Sequence, residues 1–310
     1  GDIQTPLICG LPDHIAFFCL ARVPRNYHAV LKCVSRRWRD LVCSDEWHAH
    51  RRKHNVHETW IYALCRDKFE QVTYVLDPNS SRRHWKRIPG FPSRSLKRKG
   101  MGFEALGKKI YLLGGCGWME DATEEVYCYD ASMNSWTVAA CLSMIWKLTL
   151  NLYTFKCYLA CEVLDEKIHA IGGLGSKSST QSWDTYDPYT NIWKCDFDPN
   201  IIPEIEDSIV MDRKIHIRTN ITPVTSRASA VFYEPSSGMW QRVDIDMAVR
   251  WQGPAVNVDG TFYVLDQYGT RLMMWQKEIR KWVPVERLSS LVTRPPCRLV
   301  AIGKSIFVIG

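Results

Sequence analysis

The chain has no apolar run long enough to cross a membrane as a helix, which takes about 20 residues. It also lacks a CxxC pair, although 12 cysteines are scattered along its 310 residues. No secretory signal opens the sequence, so we expect these thiols to be reduced and mostly buried, and not joined in disulfides or bound to zinc. These absences favour a protein of the cytoplasm, the nucleus or both.

The short motifs of common catalytic sites are missing as well. The sequence contains no GxxxxGK[ST] phosphate loop, no GxSxG nucleophile turn and no HExxH metal motif. The run from Gly114 to Gly117 follows a predicted strand but opens no predicted helix, which excludes a nucleotide-binding loop. We therefore expect a protein that is not an enzyme and that needs no cofactor.

Histidine is sparse outside the first 60 residues. His48, His50, His54 and His57 form the densest group, and His50 and His54 have the spacing of a metal-binding pair on a helix. No cysteine or carboxylate at ligand spacing completes such a site. We therefore predict no metal and interpret the segment as a solvated helix.

Positive charge is concentrated in the first third of the chain. The whole sequence has 40 Lys and Arg against 33 Asp and Glu, a net charge of +7. Residues 1–100 hold 19 basic and 9 acidic residues, a net of +10, and residues 101–310 hold 21 and 24, a net of −3. The stretch 81–100 contains eight of the basic residues and is open to three interpretations: a solvated loop, a nuclear import signal or an anion-binding patch. No platform of stacking aromatics accompanies it, so we predict no nucleic-acid binding.

Residues 11–47 carry the pattern of short helices. Leu11-Pro12-Asp13 is typical of a helix start and Val23-Pro24 of a helix end. Apolar residues then recur at steps of three and four from 30 to 42, which predicts one amphipathic helix with a basic face. Helices this short bury too little surface to be stable alone, so they have to pack on the rest of the chain or on another protein.

A repeat of short strands occupies the rest of the chain. KKIYLLGG at 108–115 is echoed by EKIHAIGG at 166–173, and weaker copies start at 59, 213, 260 and 304. A second strand ending in an aromatic residue and a tight turn follows most copies, and a tryptophan then opens a third. These tryptophans are Trp85, Trp136, Trp193, Trp240 and Trp282, with spacings of 51, 57, 47 and 42 residues. With one further strand before each copy, the unit has four strands in about 45–50 residues, which predicts propeller blades.

The predicted fold is therefore mostly β, a propeller of about six four-stranded blades preceded by a small helical module. The first unit lacks its first strand, and the chain stops after the second strand of the last unit, so we expect either a fragment or an imperfectly closed ring. The recurring tryptophan is predicted to fill the gap between neighbouring blades. His169 and His216 occupy the same repeat position, which indicates a structural role in strands.

One segment departs from the repeat. Residues 143–156, SMIWKLTLNLYTFK, lengthen one connection and are more apolar than a surface loop should be. They are either a recognition loop or a segment foreign to the blade plan, and composition favours the second.

The helical segment resembles an F-box. Leu11-Pro12-Asp13, Leu20 to Pro24, and Val34 to Leu41 with its Arg-Arg-Trp element come in F-box order, and only His14-Ile15-Ala16 departs from the pattern. The resemblance places an F-box at 7–57.

The strand repeats at 58–310 resemble kelch repeats. The diglycines Gly114-Gly115 and Gly172-Gly173 and the pairs Tyr129-Asp130 and Tyr186-Asp187 match the kelch pattern. The later blades lack the diglycine. The two modules together are similar to plant-type F-box/kelch-repeat proteins.

The resemblance implies the substrate-recognition subunit of a Skp–cullin–F-box ubiquitin ligase, which does no chemistry itself. Its partners are then a Skp-type adaptor, through it a cullin, and a protein target. The competing hypotheses are a kelch scaffold without a role in ubiquitination and a propeller oxidoreductase. The residues expected to form the adaptor-docking surface or its support are Leu11, Pro12, Ile15, Leu20, Val23, Pro24, Val34, Trp38 and Leu41.

The target is expected to bind at one end of the blades. In a four-stranded meander, the loops after the second strand and the links between blades open on the same end. We predict contact residues there because Arg and Trp are common interface anchors and because basic loops favour an acidic or phosphorylated segment. The candidates are Lys97, Arg98, Trp118, Arg250 and Trp251.

Overall fold

The computed structural model describes residues 5–119, 122–138, 158–173, 181–201, 205–219, 230–266 and 270–310. The predicted insertion at 143–156 lies outside them. Within the described ranges, every helix is too short or too polar to cross a membrane. The chain divides into two compact units. The first comprises Gly1–Ser93, Gly107–Ile110 and Tyr129–Thr137, and the second comprises Arg94–Leu106, Tyr111–Cys128 and Val138–Gly310.

Four helices open the first unit. They are α1 (Asp13–Leu20), α2 (His28–Val34), α3 (Arg36–Cys43) and α4 (Asp45–Lys53). Helix α1 begins after Pro12 as predicted. The single helix predicted from 30 to 42 is wrong, because Ser35 is extended and caps α3 by accepting a hydrogen bond from the Trp38 amide at 3.1 Å. The break turns the two halves into separate helices.

The helices pack around a small core of their own. Leu20, Ala21, Val42 and Trp47 are buried together at its centre. Trp47 lies on α4, and Arg51 on the same helix is also buried. The prediction of a solvated helix over the histidine-rich segment is therefore wrong. A single tryptophan supplies the apolar contact of this helix, and the buried arginine lies within a run of basic residues. The sequence therefore has no row of apolar residues at helical spacing that would predict the packing.

Within the described ranges, six antiparallel sheets follow the helices. Five of them have three or four strands in chain order and correspond to propeller blades. Blade 1 contains β1 (Ile61–Asp67), β2 (Glu70–Leu76) and β3 (Lys86–Ile88). Blade 2 contains β4 (Gly102–Leu106), β5 (Lys109–Leu113), β6 (Val126–Asp130) and β7 (Ser135–Val138). Blade 3 contains β8 (Ala160–Leu164), β9 (Lys167–Ile171), β10 (Ser182–Asp187) and β11 (Ile192–Phe197).

The remaining strands complete the repeat. Blade 4 contains β12 (Ile205–Met211), β13 (Lys214–Thr219), β14 (Ala230–Glu234) and β15 (Met239–Arg242). Blade 5 contains β16 (Ala255–Val258), β17 (Thr261–Asp266), β18 (Arg271–Gln276) and β19 (Lys281–Arg287). Helix α5 (Ile245–Arg250) precedes blade 5, and helix α6 (Ser290–Thr293) follows it. The last sheet is a hairpin of β20 (Arg298–Ile302) and β21 (Ser305–Ile309).

The structure thus shows a mostly β propeller architecture with five blades. Blade 1 has three strands, as the missing first strand in the repeat predicts. The hairpin supplies two strands where a sixth blade was expected, so the count of six is not confirmed. In the second unit β4 packs on β8, β8 on β12, β12 on β16 and β16 on β20, so successive blades meet through their first strands.

The kelch-like residues have the local roles that their chemistry suggests. All four glycines of the two diglycines have positive φ. At Gly115 a Cβ atom would lie 2.4 Å from Met101 Cγ, so a side chain there would force the neighbouring residue aside. Asp130 and Asp187 each accept a hydrogen bond from the backbone amide two residues later, which closes the turn before the fourth strand.

Three of the recurring tryptophans lie between blades, as predicted, whereas Trp85 is 38% exposed. Trp193 packs among buried residues of β5, β6, β8 and β9, so it joins blade 3 to blade 2. Trp240 and Trp282 pack in the same way against the preceding blades 3 and 4. The strand pairing sets each against an aromatic residue: Tyr186 with Trp193, Tyr233 with Trp240, Trp275 with Trp282.

The cysteines are less buried than expected. Of the ten described, three are buried, three are half-buried and four are exposed. Three of the exposed ones, Cys9, Cys19 and Cys33, belong to the helical module. The expectation of mostly buried thiols is wrong, because the small helical module has too little interior to bury its cysteines.

Candidate functional site

The helical module exposes apolar side chains that its own core does not use. Ile15 is 40% exposed and Val34 58% exposed, and Phe18, Tyr27 and Val30 are exposed as well. A small protein seldom leaves so many large apolar groups in water on adjoining short helices, because each loses the free energy that burial would give. These residues therefore point to a surface that a partner covers.

The structure separates the nine predicted docking residues into surface and support. Pro12, Ile15, Pro24 and Val34 are exposed, and Leu11, Val23, Trp38 and Leu41 are half-buried. Leu20 is buried in the core of the module. The indole N–H of Trp38 donates to the Leu7 carbonyl at 2.8 Å, so this ring holds the N-terminal segment. Trp38 and Leu20 accordingly belong to the support of the docking surface.

The N-terminal segment is fixed by a second set of bonds. The Leu7 amide donates to Asp13 Oδ1 at 2.8 Å, and the Arg37 guanidinium pairs with Asp13 Oδ2. The Leu7 amide and then Arg37 lower the pKa of the Asp13 carboxyl below its ordinary value. The start of α1 is thereby tied to α3, across which the predicted surface extends.

A buried arginine, which sequence reasoning missed, holds the module together. Arg51 on α4 is 5% exposed and donates through one guanidinium nitrogen to the carbonyls of Ala21 and Val23. Its other nitrogen donates to the Val56 carbonyl at 2.7 Å and to the Glu58 carboxylate at 3.0 Å. The bonds join the turn after α1 to the segment before blade 1. In the sequence Arg51 stands in an Arg-Arg-Lys run that looks solvated.

A second candidate surface lies on the second unit, where the link before blade 2 meets the loop after β5. Trp118, in the loop after β5, is 91% exposed, and Met119 beside it is also exposed. Lys99 and Cys116 form a two-way backbone bridge of 2.9 and 3.0 Å, so the basic link and the Trp118 loop are held together. The Lys99 ammonium lies 5.8 Å from the Trp118 ring centre. The result is an exposed aromatic group beside fixed positive charge.

Among the predicted contact residues on this link, Lys97 is exposed and Arg98 is not. The Arg98 side chain is 11% exposed and donates to Glu125 Oε2 at 2.7 Å. Burial alone would raise the pKa of Glu125, but hydrogen bonds from Arg98 and Arg94 outweigh it and leave the pKa below its ordinary value. Arg98 therefore does not fit the predicted contact role. It braces the loop that carries Trp118.

Of the other two predicted contact residues, Arg250 and Trp251, one is exposed and the other is buried. Arg250 at the end of α5 is exposed, but Trp251 is 0% exposed. The Trp251 ring packs edge-on against Phe262, and its indole N–H donates to Asp207 Oδ2 at 3.1 Å. The predicted contact role of Trp251 is wrong, because α5 places this ring in the core between blades 4 and 5.

Three carboxyl groups, also missed, stand on the first strands of consecutive blades. They are Glu104 on β4, Glu162 on β8 and Asp207 on β12. Burial raises the pKa of all three, and the Glu162 charge adds to the rise at Glu104. The Ser208 hydroxyl donates to Glu162 Oε1 at 2.7 Å, which links blade 4 to blade 3, and the pKa of Glu162 stands at about 7.

We expect Glu162→Gln to stabilise the protein strongly at pH 8 and by less than about 1 kcal/mol at pH 5. The folded pKa of about 7 lies above the ordinary 4.5, so the folded state binds more protons between these values. Stability is therefore lost as pH rises through that window. At roughly 1.4 kcal/mol per pKa unit, the difference between 4.5 and about 7 makes the penalty removed at pH 8 about 3 kcal/mol. Thermal unfolding at both pH values measures it.

The glutamine keeps an oxygen that can accept the Ser208 hydrogen bond, so the comparison isolates the charge. Glu166→Gln, at an exposed position in the turn of the same blade, is the matched control. An equal change in melting temperature at pH 5 and pH 8 would contradict the raised pKa of Glu162.

The histidines have structural surroundings. The ring centres of His50 and His54 lie 4.3 Å apart with the planes tilted by 41°, and the His50 ring centre lies 4.7 Å from that of Phe17. His169 and His216 are buried in equivalent strands, and the Trp183 indole donates to His169 Nδ1 at 3.1 Å. Within the described ranges, no cluster of three His, Cys, Asp or Glu side chains has metal-binding geometry.

Comparison with known proteins gives the same two modules. Residues 8–50 match the family model of the F-box domain, and residues 60–310 match that of the FKB95 Kelch-repeats domain. The whole chain is 53% identical to the F-box/kelch-repeat protein SKIP4 of Arabidopsis thaliana and covers 84% of it. It is 24% identical to the F-box/kelch-repeat protein SKIP30 of the same plant, again over 100% of this chain and 84% of the relative. The solved structure of YjhT matches 82% of this chain and 88% of its own length with a TM-score of 0.62, and its 14% identity shows the fold alone.

Proposed function

Because the chain belongs to the F-box/kelch-repeat family, we propose that it is the substrate-recognition subunit of a Skp–cullin–F-box ubiquitin ligase. The observation that carries the proposal is the set of exposed apolar side chains on α1, on α2 and in the turn between them, inside the residues that match the F-box. Such a surface suits a helical Skp-type adaptor, since apolar helix faces associate by burying each other. We place this module at 7–57 and the target-binding propeller at 58–310.

In this role the chain makes and breaks no bonds. It holds a target lysine near a ubiquitin-charged enzyme that the cullin brings, and so raises the effective concentration of the two reactants. The adaptor surface supplies one attachment and the propeller supplies the other. Assembly takes place in the cytoplasm, the nucleus or both.

We further propose that the target docks on the Trp118 surface, formed by Lys97, Lys99, Trp118 and Met119. An exposed tryptophan can bury a large area at low entropic cost, and the neighbouring lysines favour an acidic or phosphorylated segment. Arg250 adds positive charge at the corresponding end of the link before blade 5. Arg98 and Trp251 support these loops from within.

A reconstituted ligase tests the proposal. The purified chain with adaptor, cullin and charging enzymes is expected to transfer ubiquitin to a protein captured from its native extract. Combining Trp118→Ala with Lys97→Glu should lower that capture about tenfold or more, since loss of an interface anchor typically costs 2 kcal/mol or more. Quantitative mass spectrometry of the captured proteins measures the effect.

Tyr189→Ala is the matched control, because Tyr189 is also a well-exposed aromatic, at 80%, in a turn at the other end of the blades. Adaptor binding should be the same in all variants. Unchanged capture by the Trp118 variant would refute the proposed target surface. Capture without any ubiquitin transfer would instead favour a kelch scaffold that works outside ubiquitination.

A further inference from the structure

We propose that Lys32 and Lys108 are positioning residues that fix the helical module on two turns of blade 2 and thereby determine which lysines ubiquitin reaches. The inference deepens the proposed function and rests on it, because ubiquitin transfer is the activity that this orientation controls. The contacts lie wholly in the first unit, which contains the helices, the turn between β4 and β5, and the turn between β6 and β7.

Lys108 joins blade 2 to the corner between α3 and α4. Its side chain is 14% exposed, and its ammonium group donates to the carbonyl of Cys43, the last residue of α3. The last carbonyls of a helix have no partner within the helix, so a cation is favourable there. The Lys108 Nζ atom also lies 3.0 Å from Asp45 Oδ1 and 3.8 Å from Asp130 Oδ2. One ammonium group thus contacts both helices and the end of β6.

The two carboxylates at Lys108 differ in burial. The Asp45 side chain is 94% exposed, so its ion pair contributes little to stability, although the hydrogen bond from Lys108 lowers the pKa of Asp45. The Asp130 side chain is only 6% exposed. Its other oxygen accepts hydrogen bonds from the amides of Ser132 and Met133 at 2.8 and 3.2 Å, which close the turn before β7. The carboxylate that faces Lys108 on the blade is therefore held rigidly.

Lys32 fastens α2 to the same turn. Its ammonium group donates to the Ser132 carbonyl, and the Cys43 thiol donates to that carbonyl at 3.5 Å. The Ser132 hydroxyl returns a bond of 3.4 Å to the Cys43 carbonyl. Lys32, Cys43, Lys108, Asp130 and Ser132 together form what we call the Lys108 junction. It brings three helices of the module onto two turns of one blade.

The module has a second attachment to the blades through Arg25. The Arg25 guanidinium lies 4.1 Å from the Trp60 ring centre and donates to the Tyr62 hydroxyl at 2.6 Å, where the chain enters β1. A module held only near this covalent connection could swing about it. Contacts at the Lys108 junction, which is distant in the sequence, remove that freedom.

The equivalent turns of other blades show that the role of Lys108 is particular to blade 2. The corresponding residues are Glu166 in blade 3 and Arg213 in blade 4, and both are exposed. Arg213 pairs with Asp165 of the neighbouring blade at 2.8 Å. Lys108 instead reaches the end of a helix. In the sequence it stands in a Lys-Lys pair that looks solvated.

A fixed module has a consequence for ubiquitin transfer. The ligase accelerates transfer by raising the effective concentration of lysines near the charged enzyme, and this concentration depends on orientation. With the Lys108 junction intact, the same few lysines face the charged enzyme. With the junction broken, the module samples more orientations and other lysines gain access.

The chain's own lysines serve as the probe, because they require no identified target. The full chain is incubated with adaptor, cullin and charging enzymes, and mass spectrometry measures the ubiquitin on each lysine that all variants retain. We expect a few lysines to carry most of it. K32M/K108M should lower their share about threefold or more and spread ubiquitin to other lysines, with adaptor affinity unchanged.

Two further variants separate orientation from charge. K53M/K109M removes an exposed lysine of α4 and the exposed neighbour of Lys108, and it should keep the original pattern. K32R/K108R retains both cations and should restore the pattern. Hydrogen exchange reports the junction without the ligase: in K32M/K108M, the amides of Ser44 and Ala131 should exchange about fivefold faster or more.

Three results would overturn the inference. They are an unchanged ubiquitin pattern in K32M/K108M, an equal spread of ubiquitin in K53M/K109M, and loss of adaptor binding in K32M/K108M, which would show that the two lysines support the fold of the module and not its orientation. The same ubiquitin pattern in every variant refutes this inference alone. An unmodified chain that binds the adaptor but attaches no ubiquitin refutes the proposed function and this inference with it.

Discussion

Replacing both Ile15 and Val34 with glutamate is expected to weaken binding of a Skp-type adaptor at least 100-fold. Both side chains are well exposed in the free chain, so the changes should leave folding almost untouched. In the complex each glutamate would be buried against an apolar partner, and an unpaired buried charge costs several kcal/mol. Calorimetric titration of the purified chain with the adaptor measures the loss.

Ile15 and Val34 test the docking surface directly, because both are exposed and neither belongs to the core of the helical module. Trp38→Ala would also reduce binding, but Trp38 anchors Leu7 and is half-buried, so its loss disturbs the module itself. The variant I245E/V249E is the matched control, because it puts two glutamates at exposed aliphatic positions on the short helix α5. Adaptor affinity within threefold of the unmodified chain in I15E/V34E would contradict the docking surface.

The blade pattern could be predicted from the sequence because it is local. The second strand, the diglycine, the Asp turn and the tryptophan lie close together in each repeat, and each feature follows from backbone chemistry within a few residues. Repetition made the pattern stronger, so even the blades without the diglycine, such as the one with β17, were placed correctly. The F-box pattern has the same character, since α1 begins after Pro12 and ends before Pro24.

The residues that were misjudged are those whose environment depends on distant parts of the chain. Trp251 is buried because α5 turns it toward Asp207, 44 residues earlier. Arg98 is enclosed because it pairs with Glu125, 27 residues later. Charge and aromatic character indicate which residues are candidates for contact, but they do not indicate which of those residues are exposed to solvent.

Arg51→Met is expected to lower the free energy of unfolding of the helical module by about 3–5 kcal/mol. Arg51→Met removes the donors of the Ala21, Val23 and Val56 carbonyls, and it leaves the half-buried Glu58 carboxylate with the Arg25 amide but without its ion-pair partner. Chemical denaturation followed by tryptophan fluorescence measures the change, since Trp47 lies in the same core.

Arg52→Ala is the control for Arg51→Met, because Arg52 is the exposed neighbour in the same basic run, and it should change stability by less than about 0.5 kcal/mol. Adding Glu58→Gln to Arg51→Met should restore part of the loss by removing the unpaired charge. The Ala21 and Val23 carbonyls belong to the turn that leads into Pro24, so Arg51→Met should also weaken adaptor binding even though Arg51 is buried away from that surface. If Arg51→Met and Arg52→Ala unfold at the same denaturant concentration, the buried network does not hold the module, and the turn that presents Pro24 is stabilised by the apolar core alone.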